Sequence, residues 1–192
     1  MVARPRARPA RWCFWATRSP RAGARWLQRF PGIRKVANRG ISGGRHAGRA
    51  LSAEGGRADL NPAAVVCSSA PTTSKRGGEP DIIAENVGAI LDACQEAHPR
   101  MPIVLCEVMP SSPAKKRSAA QIKDLNARLE KSAKGQAKVT LVDTWTLFAD
   151  AEGNAKVEEF PDLLHPNAAG YDKWTRTLRP VFARLRLGAG RQ

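Results

Sequence analysis

Residues Pro102 to Val108 read PIVLCEV. A short, continuous apolar run of this kind predicts a strand buried on both faces, as in a parallel sheet. Upstream, Pro80 to His98 reads as a helix: Ile83, Val87, Ile90, Leu91 and Cys94 fall on one stripe, Pro80 suits the first turn and Pro99 stops it. Downstream comes a loop, MPSSPAKKR, and then a second amphipathic helix over Ser118 to Lys134, with Ile122, Leu125 and Leu129 inward. Lys138 to Val142 is another buried strand, closed by Asp143. Asn167 can cap a last helix in which Tyr171, Trp174, Leu178, Val181 and Phe182 share a face. Further upstream, NPAAVVC (Asn61 to Cys67) and KVAN (Lys35 to Asn38) supply two earlier strands. Strands alternating with helices imply a parallel sheet between helix layers, a three-layer α/β/α sandwich. Functional groups in such folds gather at the carboxyl ends of the strands.

The chain has 192 residues and a formal net charge of +15. Residues 1–60 hold 14 Lys/Arg against two acids, Glu54 and Asp59, whereas the remaining residues hold 18 against 15. The part that reads as folded is therefore nearly balanced. The basic part is Arg, Pro, Gly and Ala with little apolar periodicity, and it carries no zinc-finger, basic-zipper or aromatic RNA-binding signature. Nucleic acid is not an expected partner on this pattern; docking of residues 1–60 on nucleic acid is the third-ranked reading. The four cysteines (Cys13, Cys67, Cys94, Cys106) show neither CxxC pairing nor metal spacing, and Cys94 and Cys106 read as core residues. No metal or organic cofactor is expected. No apolar run approaches the roughly 20 residues of a membrane span. The Arg-rich start has the composition of a transit peptide but lacks the apolar core of a secretory signal, which leaves cytoplasmic placement as the default.

The residues richest in chemistry lie late. Pro161 to Tyr171 reads PDLLHPNAAGY, with Asp162 and His165 three positions apart. A histidine that shuttles protons needs a carboxylate to fix its tautomer and to stabilise the imidazolium. One short turn can provide both. The competing reading is a surface Asp and a loop His that merely begin a helix.

Three segments in order, NRGISG (Asn38 to Gly43), NPAAVV (Asn61 to Val66) and PDLLHPNAAGY, resemble the SGNH (GDSL-type) hydrolases, a family of small serine esterases and acylhydrolases with a flavodoxin-like α/β/α fold. The resemblance runs with gaps from about Trp26 to Phe182. It implies that Gly43 is an oxyanion-hole donor, that His165 takes the proton of a nucleophilic serine, and that Asp162 orients the imidazole. His46 and His98 look incidental, and Trp145 and Phe148 read as core. The implied reaction is hydrolysis of acetyl or short-acyl esters of lipid or carbohydrate, with a small-molecule or glycan ester as partner. The division expected is a basic, disordered or out-of-frame segment over 1–25, a hydrolase-like domain over 26–185, and a tail over 186–192.

Two of the family's four signature blocks are missing as written. Where GDS should carry the nucleophile the chain has CFWATRSP (Cys13 to Pro20), and where GTND should carry an oxyanion-hole asparagine it has CSSAPTTSKR (Cys67 to Arg76). Neither stretch reads as a good buried strand. Ser19, Ser42 and Ser68 lie nearby, but none reads as more than an ordinary serine, so the nucleophile is unknown. The genetic code permits codons for Trp12 to Pro20 that, in a shifted phase, spell Val-Leu-Leu-Gly-Asp-Ser-Ile-Thr. Codons permitted for Cys67 to Ser74 in the same phase spell Leu-Ile-Gly-Thr-Asn-Asp-Leu. Both stretches are thus expected to be out-of-frame readings of an ordinary GDSL gene, and the chain as written is expected to be inactive. The alternative of another class is a non-catalytic, carbohydrate-binding or scaffolding relative.

Overall fold

The computed structural model describes residues 11–16, 36–38, 62–68 and 79–187. Within them, five strands form one sheet: β1 (Arg11–Ala16), β2 (Val36–Asn38), β3 (Pro62–Ser68), β4 (Ile103–Cys106) and β5 (Val139–Val142), in the order β2-β1-β3-β4-β5. Every pairing is parallel. This is the flavodoxin-like doubly wound order. Register places Ala16, Ser68, Cys106 and Val142 on one rung, so four strands end level with one another.

The central strands are buried on both faces. Val65, Cys67, Ile103 and Leu105 pack beneath helices α1 (Pro80–Ala97) and α2 (Ala119–Ala133), against Ile83, Val87, Leu91, Ile122, Leu125 and Leu129. Ala64, Val66, Val104, Cys106 and Val142 pack on the other side with Phe148, Phe160 and the face of the last helix that carries Trp174, Leu178 and Phe182. The alternation along β3 and β4 thus feeds two cores, which makes the fold a three-layer sandwich. The four residues of β4 are each fully buried, which explains why their sequence is apolar throughout rather than alternating.

Helix termini follow the expected chemistry. Pro80 opens α1, and Ser118 and Gln121 form a reciprocal capping box at α2, with Gln121 N–H donating to Ser118 Oγ and Ser118 N–H to Gln121 Oε1. A short helix, α3 (Trp145–Phe148), follows β5, and α4 (Ala168–Arg184) closes the fold.

Three differences from the sequence reading have physical causes. First, Arg11–Ala16 lies within the segment set apart as 1–25, yet it is the strand between β2 and β3 and so belongs to the sheet. Its run RWCFWA is rich in aromatic residues, which strands favour, and the boundary at 26 falls too late. Second, β4 stops at Cys106 rather than Val108 because the backbone beyond it takes other partners. Val108 N–H and C=O are both bound by the Asn126 side chain, at 2.8 and 3.0 Å, and Glu107 C=O accepts from Thr144 Oγ1. Third, β5 ends the strand order and leaves Val139, Thr140 and Leu141 only partly covered, so it is not the buried strand expected over Lys138 to Val142, and α3 is an element the sequence reading lacks. Trp145 and Phe148 on it are buried, as their expected core role requires.

Phe160 links this core to the functional loop. Its ring is fully buried and meets Phe148 edge-on, with centroids 5.2 Å apart and planes at 85°. Phe160→Ala is expected to lose about 3–5 kcal/mol of stability, through lost transfer energy and an unfilled cavity. Ile82→Ala, at a site 41% exposed, should change stability by less than about 0.5 kcal/mol. Urea denaturation of both variants checks the contrast.

Candidate active site

The segment leading into α4 is fixed at both ends before any functional group is considered. Phe160 N–H donates to Lys156 C=O and Leu163 N–H to Phe160 C=O, each at 2.8 Å. Asn167 caps α4 by accepting from Gly170 N–H through Oδ1 at 3.0 Å. Its Nδ2 donates to Glu158 C=O at 2.7 Å and its own N–H to Glu159 C=O at 2.8 Å. Glu159 in turn pairs with Lys173 on α4 at 2.8 Å. Gly170 is required by close approach: a Cβ there would stand 3.0 Å from Pro166 Cβ and 3.1 Å from Glu159 C=O.

Between these anchors lies the D-x-x-H turn. Asp162 Oδ1 accepts from the N–H groups of Leu164 and His165, at 3.0 and 2.6 Å, an Asx-type turn. Its Oδ2 meets His165 Nδ1 at 2.5 Å. An ionised carboxylate can only accept, so this contact puts the ring proton on Nδ1 and leaves Nε2 as the proton acceptor. Leu163, between the two, has φ +57°. A left-handed non-glycine backbone costs roughly 1–2 kcal/mol. The hydrogen bonds accepted by Asp162 Oδ1, together with Leu163 N–H to Phe160 C=O and Ser111 Oγ to Leu163 C=O at 3.0 Å, offset this at about 0.5–1.5 kcal/mol each.

Asp162 and His165 remain about half exposed, at 47% and 52% of their side-chain surface. An ion pair that open to water adds little stability, so the contact matters for orientation. The Asp162 carboxyl is held down at about 2. Partial burial would raise it, but the ring and backbone N–H of His165, the His165 charge and Leu164 N–H together outweigh that.

A pair of carboxyls, Glu107 and Asp143, stands where β4 and β5 end. Glu107 is raised to about 7, first by burial and then by its hydrogen bond with Asp143 and the charge there; Trp145 N–H opposes the shift. Asp143 is lowered. Burial works against this and is outweighed by hydrogen bonds from the Thr146 side chain and N–H, from Glu107 and from Trp145 N–H. The shared proton therefore resides on Glu107.

Of the residues singled out from sequence, Asp162 and His165 are brought into direct contact. Gly43, Ser19, Ser42 and His46 lie outside the described residues. Ser68 ends β3. Among the described residues no serine hydrogen-bonds His165. Cys67 is raised to about 12 by burial first and then by neighbouring Cys94, and burial raises Cys106 as well, so both stay protonated core thiols. Among the described residues no group of three His, Cys, Asp or Glu side chains is placed to hold a metal ion, and no helix is long and apolar enough to cross a membrane. The sequence reading missed Ser111, Asn126 and the Glu107–Asp143 pair. Asn126 had a visible signal: it is a polar residue on the apolar stripe of Ile122, Leu125 and Leu129.

The profile of the GDSL-like lipase/acylhydrolase family matches residues 7–173. The chain belongs to this family. Solved structures share its fold. A protein assigned as an acylhydrolase from Bacteroides fragilis is 19% identical with a TM-score of 0.71, over 95% of this chain and 91% of that one. A GDSL-like lipase from Bacteroides thetaiotaomicron is 21% identical with a TM-score of 0.69, over 96% and 93%. A carbohydrate esterase of family 3 from Talaromyces cellulolyticus is 16% identical with a TM-score of 0.61, over 92% and 97%. No curated protein sequence matches the chain. Membership supports ester hydrolysis in general as the chemistry of the fold.

The two carboxyl sites give opposite pH dependences. Asp162 is depressed in the folded state, so its contribution is present above the ordinary value of 3.8 and is lost as pH falls from there through about 2. Glu107 is raised, so the folded state holds an extra proton between about 4.5 and 7, and stability falls as pH rises through that window. Asp162→Asn should flatten only the acid limb and Glu107→Gln only the upper one, read from denaturant midpoints across pH. At Leu163, substitution by Gly should leave stability within about 1 kcal/mol, because glycine accepts positive φ. Leu163→Val should cost roughly 1–2 kcal/mol, because a β-branched residue there is a steric outlier.

Proposed function

We propose that this fold serves a serine acylhydrolase that removes acetyl or short-acyl groups from lipid or carbohydrate esters, and that the chain as written lacks the nucleophile. The observation that carries the reading is the 2.5 Å contact between Asp162 Oδ2 and His165 Nδ1. It leaves His165 Nε2 to take the serine proton as Oγ attacks the ester carbonyl. The same nitrogen returns that proton to the leaving alcohol, and a water activated in the same way then releases the acid. Gly43 N–H is the oxyanion donor on this reading. Loss of one such donor costs on the order of 10²–10³ in rate, and loss of the nucleophile removes the covalent route.

Topology supports the placement. In the order 2-1-3-4-5 the chain reverses direction across the sheet between β1 and β3, and ligands bind in the crevice outside that switch point. The two absent signature blocks belong directly after these strands. The shifted codon reading puts its serine across the codons of Thr17 and Arg18, just beyond the end of β1 at Ala16. It puts its asparagine across the codons of Pro71 and Thr72, just beyond the end of β3 at Ser68. Out-of-frame reading of both stretches accounts for their loss and for the Arg-rich composition of the N-terminus. The carbohydrate specificity of the family 3 esterase that shares the fold is in keeping with an acylated glycan as substrate.

The test is hydrolysis of p-nitrophenyl acetate by two chains. The chain as written should show only background turnover. A chain carrying both shifted readings should turn the ester over and lose that activity on His165→Ala. Turnover by the unaltered chain that depends on His165 would refute the missing nucleophile. An inert repaired chain, or activity indifferent to His165, would refute the hydrolase reading. Binding of an acetylated glycan without turnover by either chain would favour a non-catalytic relative.

A further inference from the structure

The histidine turn is held from outside as well as from within. Ser111 lies in the loop after β4 and is 2% exposed. Its Oγ donates to Leu163 C=O at 3.0 Å, across 52 positions of sequence, and its own C=O accepts from Ala155 N–H at 2.8 Å. The loop that carries it is anchored in turn: Asn126, on α2 and 6% exposed, binds both Val108 N–H and Val108 C=O. A continuous path of hydrogen bonds and main chain therefore runs from α2, through the loop, to the single residue between Asp162 and His165 whose backbone is left-handed.

A buried serine needs some acceptor, and satisfying that need would explain an arbitrary partner. The acceptor here is the carbonyl of the peptide that sets the angle between Asp162 and His165. No other side chain among the described residues hydrogen-bonds that carbonyl. We propose that Ser111 is a positioning residue for the Asp162–His165 pair, holding Leu163 in the left-handed conformation in which the carboxylate reaches Nδ1. This deepens the hydrolase reading and rests on it for the pair's acid–base role, but the geometry can be tested without turnover.

The measurement is the tautomer of His165, read from ring ¹⁵N shifts in the full-length chain at alkaline pH. The parent should hold the proton on Nδ1, and Asp162→Asn should move it towards Nε2. Ser111→Ala should move the ratio at least half-way to the Asp162→Asn value, whereas Ser111→Thr, which keeps the hydroxyl, should stay near the parent. If Ser111→Ala does not fold, Ser111→Cys, similar in shape but a weak donor, is judged by the same criterion. An unchanged tautomer in Ser111→Ala or its Cys substitute overturns the inference and leaves the hydrolase reading standing. A parent chain that already resembles Asp162→Asn overturns both, because the pair would not exist in solution. An inert repaired chain alongside a Ser111-dependent tautomer overturns the catalytic reading alone.

Discussion

Burial of β3 and β4 on both faces is the constraint on which the architecture depends. A strand sealed beneath helices on either side can satisfy its backbone only through neighbouring strands, and the observed neighbours are parallel to it. Parallel pairing requires a crossover between successive strands, which here supplies the helices α1 and α2 that seal one face, while α3, Phe160 and α4, after the last strand, seal the other. The rung of Ala16, Ser68, Cys106 and Val142 then follows from register, and the loops that leave it emerge at one end of the sheet. Of the described residues on those loops, Ser111 reaches the segment that holds Asp162 and His165, through its hydrogen bond to Leu163 C=O.

Much of this was legible in the residues themselves. The apolar run through β4, the stripes on α1, α2 and α4, and the Asn167 cap each carry a local signal strong enough to survive without tertiary context. The D-x-x-H pair was legible because both groups and the turn that joins them lie within four consecutive residues. What escaped had non-local causes. Arg11–Ala16 has aromatic residues that suit a strand but sits in basic surroundings that mask the signal, and its place in the sheet comes from main-chain pairing with β2 and β3. The early end of β4 depends on Asn126, 18 residues away, and the support of Leu163 on Ser111, 52 residues away. Hydrogen bonds from side chain to backbone over such distances leave little trace in periodicity.

The two carboxyl arrangements show how context divides chemically similar groups. Asp162 meets an imidazole and two backbone N–H groups in partial contact with water, and stays ionised. Glu107 meets burial and a second carboxyl, and retains its proton to about neutrality. Neither outcome is readable from residue type, since an Asp or a Glu outside helix and strand looks alike in both cases. The difference lies in which donors the following turn presents.

Phe160, Asp162, Ser111 and Asn167 each contribute a hydrogen bond to the histidine turn or its flanks, with Asn126 steadying the loop below it. Each of these contacts joins two residues of the C-terminal part of the chain. A change in the codons of the first three strands leaves the identity of every residue in these contacts as it is.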